Sequence, residues 1–174
     1  MNREIQEKAR NIKLAVFDVD GVMTDGTILV TDEGELTKQF SVRDGLGLKL
    51  LKSANVRTAV ISGRESRPLQ KRLGELDIDH FRLGIDDKLT EFKNLVRLLE
   101  INDSEVCCFG DDLNDIAILR KCGLSVVPAG SPDYMVDIAD YVTFSNAGHG
   151  AVREVCELIL KAKGTWQTVL ESYF

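Results

Sequence analysis

Short, nearly uninterrupted apolar runs recur along this chain, and longer stretches of helical periodicity separate them. The runs at 13–18, 57–61, 80–84, 106–109, 124–127 and 141–143 are rich in β-formers and have the length of buried strands. Helical patterns fill 45–54, 65–76, 88–100, 112–122, 132–138 and 150–163. Strands that are apolar on both faces and alternate with helices predict an α/β fold, a doubly wound, Rossmann-like parallel sheet with helices on both sides. A chain of 174 residues is expected to form one domain, 1–174, and such folds collect ligands beyond the carboxyl ends of their strands.

One segment interrupts the alternation. TILVTDEGELTKQF gives two strand-like runs around Asp32-Glu33-Gly34, so a β-hairpin is expected at about 24–40, projecting over the sheet edge where the first strand ends. The last ten residues, 165–174, follow Gly164 and hold the only Trp, an aromatic tail expected to dock on another surface such as a neighbouring subunit. The net charge of −6 argues against a nucleic-acid or anionic-membrane partner, because both need clustered Lys and Arg. The start MNREIQEKARNI lacks the apolar stretch of a signal peptide, and no run approaches the ~18 apolar residues of a membrane span. Cys107, Cys108, Cys122 and Cys156 form no C-x-x-C pair and are expected to be reduced thiols in a cytoplasmic protein.

The polar residues collect where the apolar runs stop. The first run ends in Asp18-Val19-Asp20-Gly21, the second in Ser62-Gly63-Arg64 and the fourth in Gly110-Asp111-Asp112-Leu113-Asn114-Asp115. The helical pattern after the third begins at Lys88. In a parallel sheet these ends share one edge, so several carboxylates meet a hydroxyl, an ammonium and a guanidinium. Crowded carboxylates raise one another's pKa or demand a counter-cation. Mg²⁺ suits them, since it takes one or two carboxylates and leaves room for a phosphate. Ser62, Lys88 and the glycine-loosened amides are the donors a phosphoryl group needs.

FDVDGVMTDG, VISGR, Lys88 and GDDLND resemble, in order and spacing, the four motifs of the haloacid-dehalogenase-like phosphohydrolases. The resemblance implies that Asp18 is a nucleophile that becomes an aspartyl-phosphate and that Asp20 is the general acid and base. It implies that Ser62 and Lys88 hold the transferring phosphoryl group. Mg²⁺ would be bound by Asp18, the backbone carbonyl of Asp20 and Asp111, with Asp112 and Asp115 supporting the site. VRDGLG at 42–47, GDDLNDIAIL at 110–119 and GHGAVREV at 148–155 are similar to the small, capless members that act on 8-phosphorylated 3-deoxy-D-manno-octulosonate. That likeness covers 11–163. It implies a homotetramer whose hairpins help close each site, and a role in lipopolysaccharide precursor synthesis. Arg64, Arg43, Asp44, Ser62, Gly63 and Lys88 are the expected substrate contacts. Ala147-Gly148-His149-Gly150 departs from the Gly-Gly-Arg or Gly-Gly-Lys that usually precedes Gly-Ala in that subfamily.

Two other readings fit the same residues. A receiver-type signalling domain also combines a doubly wound sheet, an aspartate cluster, Mg²⁺, a hydroxyl and a Lys. It places its phospho-accepting Asp on a later strand, however, and an acid/base at +2 shortens the life of a phospho-aspartate. A phosphatase of another keto-sugar acid, such as a nine-carbon 9-phosphate, differs only in what sits over the phosphate site, where Arg64, Arg67 and the hairpin belong.

Overall fold

The computed structural model describes residues 2–32 and 34–174. In chain order it contains α1 (Arg3–Asn11), β1 (Leu14–Phe17), β2 (Leu29–Thr31), β3 (Gly34–Thr37), α2 (Val42–Leu51) and β4 (Arg57–Ser62). There follow α3 (Arg67–Leu76), β5 (His80–Leu83), α4 (Lys88–Leu98), β6 (Val106–Phe109), α5 (Ile116–Leu119) and β7 (Leu124–Ala129). The chain closes with α6 (Asp133–Val136), β8 (Tyr141–Asn146), α7 (Ala151–Ala162) and α8 (Trp166–Glu171).

Six strands form one sheet in the order β5-β4-β1-β6-β7-β8, and every pairing in it is parallel. β1 is central, and its four residues are all buried. Their period-two alternation feeds two cores. Ala15 and Phe17 join Leu48, Leu69 and Val155 on one face, while Leu14 and Val16 join Phe92, Ile118 and Met135 on the other. This is why the strand reads as an unbroken apolar run. The segment that leads into Asp18 is thereby clamped from both sides.

β2 and β3 pair antiparallel as a separate two-stranded ribbon, where the hairpin was expected. Of its expected turn, Glu33 lies outside the described residues. α2 begins at Val42, earlier than its apolar pattern predicts, because the Ser41 side chain caps it by accepting from the Asp44 amide at 3.2 Å. The helix expected over 112–122 is instead a 3₁₀ turn, Leu113–Asp115, followed by the single turn of α5. The turn tightens there because Asp115 faces inward while Asp112 caps it.

α1 was not anticipated. Its charge masks a narrow stripe, Ile5 and Ala9, which reaches the core with Ile12 just beyond. The aromatic tail docks in part on this same domain. Trp166 packs against the chain's own core, with Arg153 and Lys161 over its ring at 5.5 and 5.2 Å, whereas Tyr173 and Phe174 are exposed. All four cysteines are unpaired, and burial pushes the thiols of Cys107, Cys108 and Cys156 up.

Candidate active site

The carboxyl ends of β1, β4 and β6 bring the expected acidic and hydroxyl groups to one cavity of about 140 Å³. Asp18, Asp20, Ser62, Gly63, Arg64 and Asp111 line it. Asp18 extends the sheet by one bond, its amide donating to the Phe109 carbonyl at 2.9 Å, so the strand holds its backbone. The chain then folds sharply. The Val19 carbonyl accepts from the amides of Val22, Met23 and Thr24, and this tight loop aims Asp20 back over the strand end.

Lys88 lies beneath the carboxylates. Its ammonium is 2.8 Å from Asp18 and 2.7 Å from Asp115. Burial works against that charge, but the two carboxylates outweigh it and hold the Lys88 pKa above its ordinary value. Asp115 is wholly buried; one oxygen accepts from Lys88, and the other from the amides of Asp111 and Asp112 at 3.2 and 3.5 Å. Asp115 therefore builds the site from behind.

Ligand-capable oxygens of Asp18, Asp111 and Asp115 fall within 4.8 Å of one another. Because both Asp115 oxygens are already engaged, Asp18 and Asp111 are the pair left for a cation. Burial is the first cause that lifts Asp18 to about 6, with Asp115 adding to it and Lys88 opposing. Burial likewise lifts Asp111 to about 7, reinforced by Asp18, Asp115 and Asp112. One ammonium does not compensate three carboxylates, and a divalent ion with oxygen preference fits the deficit. Gly21 permits this crowding, since its φ is +90° and a Cβ there would lie 2.0 Å from Asp111 Oδ2.

The remaining expected residues divide. Ser62 is buried, ends β4, and accepts from the Arg64 amide at 3.2 Å, while Ser66 caps α3. Asp112 is exposed and accepts from the Leu113 amide and the Tyr134 hydroxyl, which fixes its loop. Arg43 lines a separate cavity of about 490 Å³ with Asp25, Phe40 and His149. An intermediate cavity of about 290 Å³ shares Asp111 with the first and His149 with the second.

Asp44, expected among the substrate contacts, is only 3% exposed and is held by the protein itself. Its oxygens accept from the Gly150 and Arg153 amides at 3.2 and 2.7 Å, so it caps α7 from α2. Sequence reasoning also missed Lys38. It follows β3, its side chain is 1% exposed, and its ammonium pairs with Asp20. The hairpin's position just after the aspartates was the one signal that could have found it.

The relatives settle the family. A haloacid dehalogenase-like hydrolase family model matches residues 84–155. The 3-deoxy-D-manno-octulosonate 8-phosphate phosphatase KdsC of Salmonella typhi is 41% identical, over 94% of this chain and 87% of that protein. The chain belongs to the KdsC family of haloacid dehalogenase-like hydrolases. Among solved KdsC structures, that of the Moraxella catarrhalis enzyme in complex with magnesium ion, phosphate ion and KDO is 41% identical. It covers all of both chains, with a TM-score of 0.96. The cobalt-bound Haemophilus influenzae enzyme is 38% identical over 92% of this chain and 94% of that one, with a TM-score of 0.90. KdsC membership identifies a phosphatase with a parallel α/β sheet and removes the receiver-domain reading.

Proposed function

We propose that this chain is a Mg²⁺-dependent phosphomonoesterase that hydrolyses 3-deoxy-D-manno-octulosonate 8-phosphate to the free sugar acid and phosphate. The observation that carries this reading is the convergence of Asp18, Asp20, Ser62 and Asp111 on one cavity, with Lys88 paired to Asp18 from below. The Moraxella relative, alike along its whole length, holds magnesium, phosphate and the sugar acid together.

Asp18 attacks phosphorus through a carboxylate oxygen, the P–O bond to the sugar breaks, and Asp20 gives its proton to the departing oxygen. Asp20 then takes a proton from water, which attacks phosphorus and releases phosphate with Asp18 restored. Lys88 and Ser62 hold the phosphoryl oxygens, and Gly63 and Arg64 border the same space. Asp18, Asp111 and the Asp20 carbonyl would hold Mg²⁺, which screens the repulsion between carboxylate and phosphate. Asp112 and Asp115 keep that arrangement in register. Arg43 contacts the end of the substrate remote from phosphorus.

The chain works as a single catalytic domain without a cap, so another copy must help exclude water. We assign it a homotetramer joined through the exposed Leu29 and Val30 of the hairpin, acting in the cytoplasm on a lipopolysaccharide precursor. The test is phosphate release from the octulosonate 8-phosphate and from a nine-carbon 9-phosphate, with Mg²⁺ or EDTA, alongside Asp18→Asn. Mg²⁺-dependent release from the eight-carbon ester, lost in the variant, supports the reading. Preference for the nine-carbon ester would overturn the substrate, and light scattering at a monomer's mass would overturn the assembly.

A further inference from the structure

Two lysines serve two carboxylates at the end of β1, and they arrive from opposite sides. Lys88 starts α4 and engages Asp18 and Asp115. Lys38 comes down from the stem of the β2–β3 ribbon and engages Asp20 through Oδ1. A lysine on the stem of an exposed ribbon has every opportunity to extend its ammonium into water. Lys38 does the opposite, with only 1% of its side chain exposed. Burying an ammonium is costly unless it is paired, so this placement favours the seated pairing with Asp20 over solvent.

Asp20 needs such a partner. It stands on a tight loop beyond the strand, and its side chain keeps 20% exposure, so the sheet does not fix it as it fixes Asp18. A carboxyl free to change rotamer spends much of its time away from the atom it must protonate. Lys38 occupies Oδ1 and leaves Oδ2 for the proton in transit.

We propose that Lys38 is the positioning residue for the acid–base Asp20, fixing its carboxyl against the leaving-group oxygen and tying proton delivery to the seating of the hairpin. This rests on the acid–base assignment of Asp20 made above. General acid–base catalysis contributes about 10²–10⁴-fold, so losing its alignment is expected to forfeit on the order of 10–100-fold.

The experiment compares Lys38→Met, Lys38→Arg, Asp20→Asn and the Asp20→Asn/Lys38→Met double variant on two kinds of substrate. An alkyl ester, the octulosonate 8-phosphate or glycerol 3-phosphate, has a leaving oxygen that needs a proton. p-Nitrophenyl phosphate has one that scarcely does. Lys38→Met is expected to lower kcat/KM, which reports only the steps up to phosphoryl transfer onto Asp18, about 10–100-fold on the alkyl ester and less than about 3-fold on the aryl ester. Lys38→Arg should recover most of the loss. The double variant should be no slower than Asp20→Asn alone, since residues acting through one another are not additive. Calorimetric Mg²⁺ titration of Lys38→Met should match wild type within about 2-fold.

Equal losses of kcat/KM on both esters, a double variant slowed by the product of its parents, or a parallel loss of Mg²⁺ affinity would each overturn the role. Should wild type cleave glycerol 3-phosphate but not the octulosonate ester, the substrate reading fails while the alkyl-to-aryl comparison still judges Lys38.

Discussion

The Lys88 ammonium sits 2.7 Å from the carboxylate of Asp115, a side chain with no solvent exposure, and also pairs with Asp18 at 2.8 Å. Removing the cation would leave buried carboxylates facing each other. Lys88→Met is therefore expected to destabilise the metal-free protein by about 3–5 kcal/mol, the usual result of stripping one partner from a buried ion pair. Urea unfolding at pH 7.5 measures it; a loss under about 1 kcal/mol would mean that the carboxylates are relieved in some other way.

The same crowding sets a pH dependence. Asp18 and Asp111 are lifted to about 6 and about 7, above the ordinary carboxylate range. Between pH ~4 and ~7 the native state thus binds more protons than the unfolded chain, so stability falls as pH rises through that window. EDTA-treated protein is expected to melt at least about 3 °C higher at pH 5.5 than at pH 7.5, roughly 1 kcal/mol for a chain of this size. Mg²⁺ should raise Tm more at pH 7.5 than at pH 5.5. Scanning calorimetry on four samples decides it, and a melting temperature that climbs with pH in EDTA contradicts the assignment.

Gly21 is irreplaceable on geometric grounds. Alanine there would meet Asp111 Oδ2 at 2.0 Å and adopt φ of +90°, so Asp111 must move. Gly21→Ala should weaken Mg²⁺ binding at least about 10-fold, or about 1.4 kcal/mol. Isothermal titration with the metal alone checks this without any turnover, and wild-type affinity would show that Asp111 does not bind it.

Asp44 separates structure from recognition. Burial raises its carboxyl above the ordinary range even though the amides of Arg153 and Gly150 oppose the shift, so the capping role comes at a cost in desolvation. Asp44→Ala orphans two amides at the start of α7 and should cost roughly 2–4 kcal/mol. KM should change less than about 3-fold in the same variant. A large rise in KM with unaltered unfolding would return Asp44 to the substrate.

Much of this was legible in the chain itself. Strand runs such as 106–109 and 57–61 stand out because burial on both faces leaves no polar alternation to confuse them. Asp18, Ser62 and Asp111 could be gathered because parallel strands place all their carboxyl ends together. What escaped were relationships rather than elements. No local pattern reveals that Asp44 reaches across to α7, 106 residues away at Gly150, or that Lys38 folds back on Asp20. α1 escaped because two buried side chains suffice to dock it, too few to dominate a charged stretch.

The two halves of the chemistry hang on supports of unequal strength. Asp18 ends a strand locked between two cores, whereas the partner of Asp20 belongs to a ribbon of two short strands with Leu29 and Val30 outside the core. Such ribbons are marginal alone and open by subglobal fluctuation well before a central sheet does. Gentle heating would then strip away selectively the capacity to cleave unactivated esters. A narrow range of conditions should exist in which the folded protein still accepts phosphate from nitrophenol and has already ceased to be a sugar phosphatase.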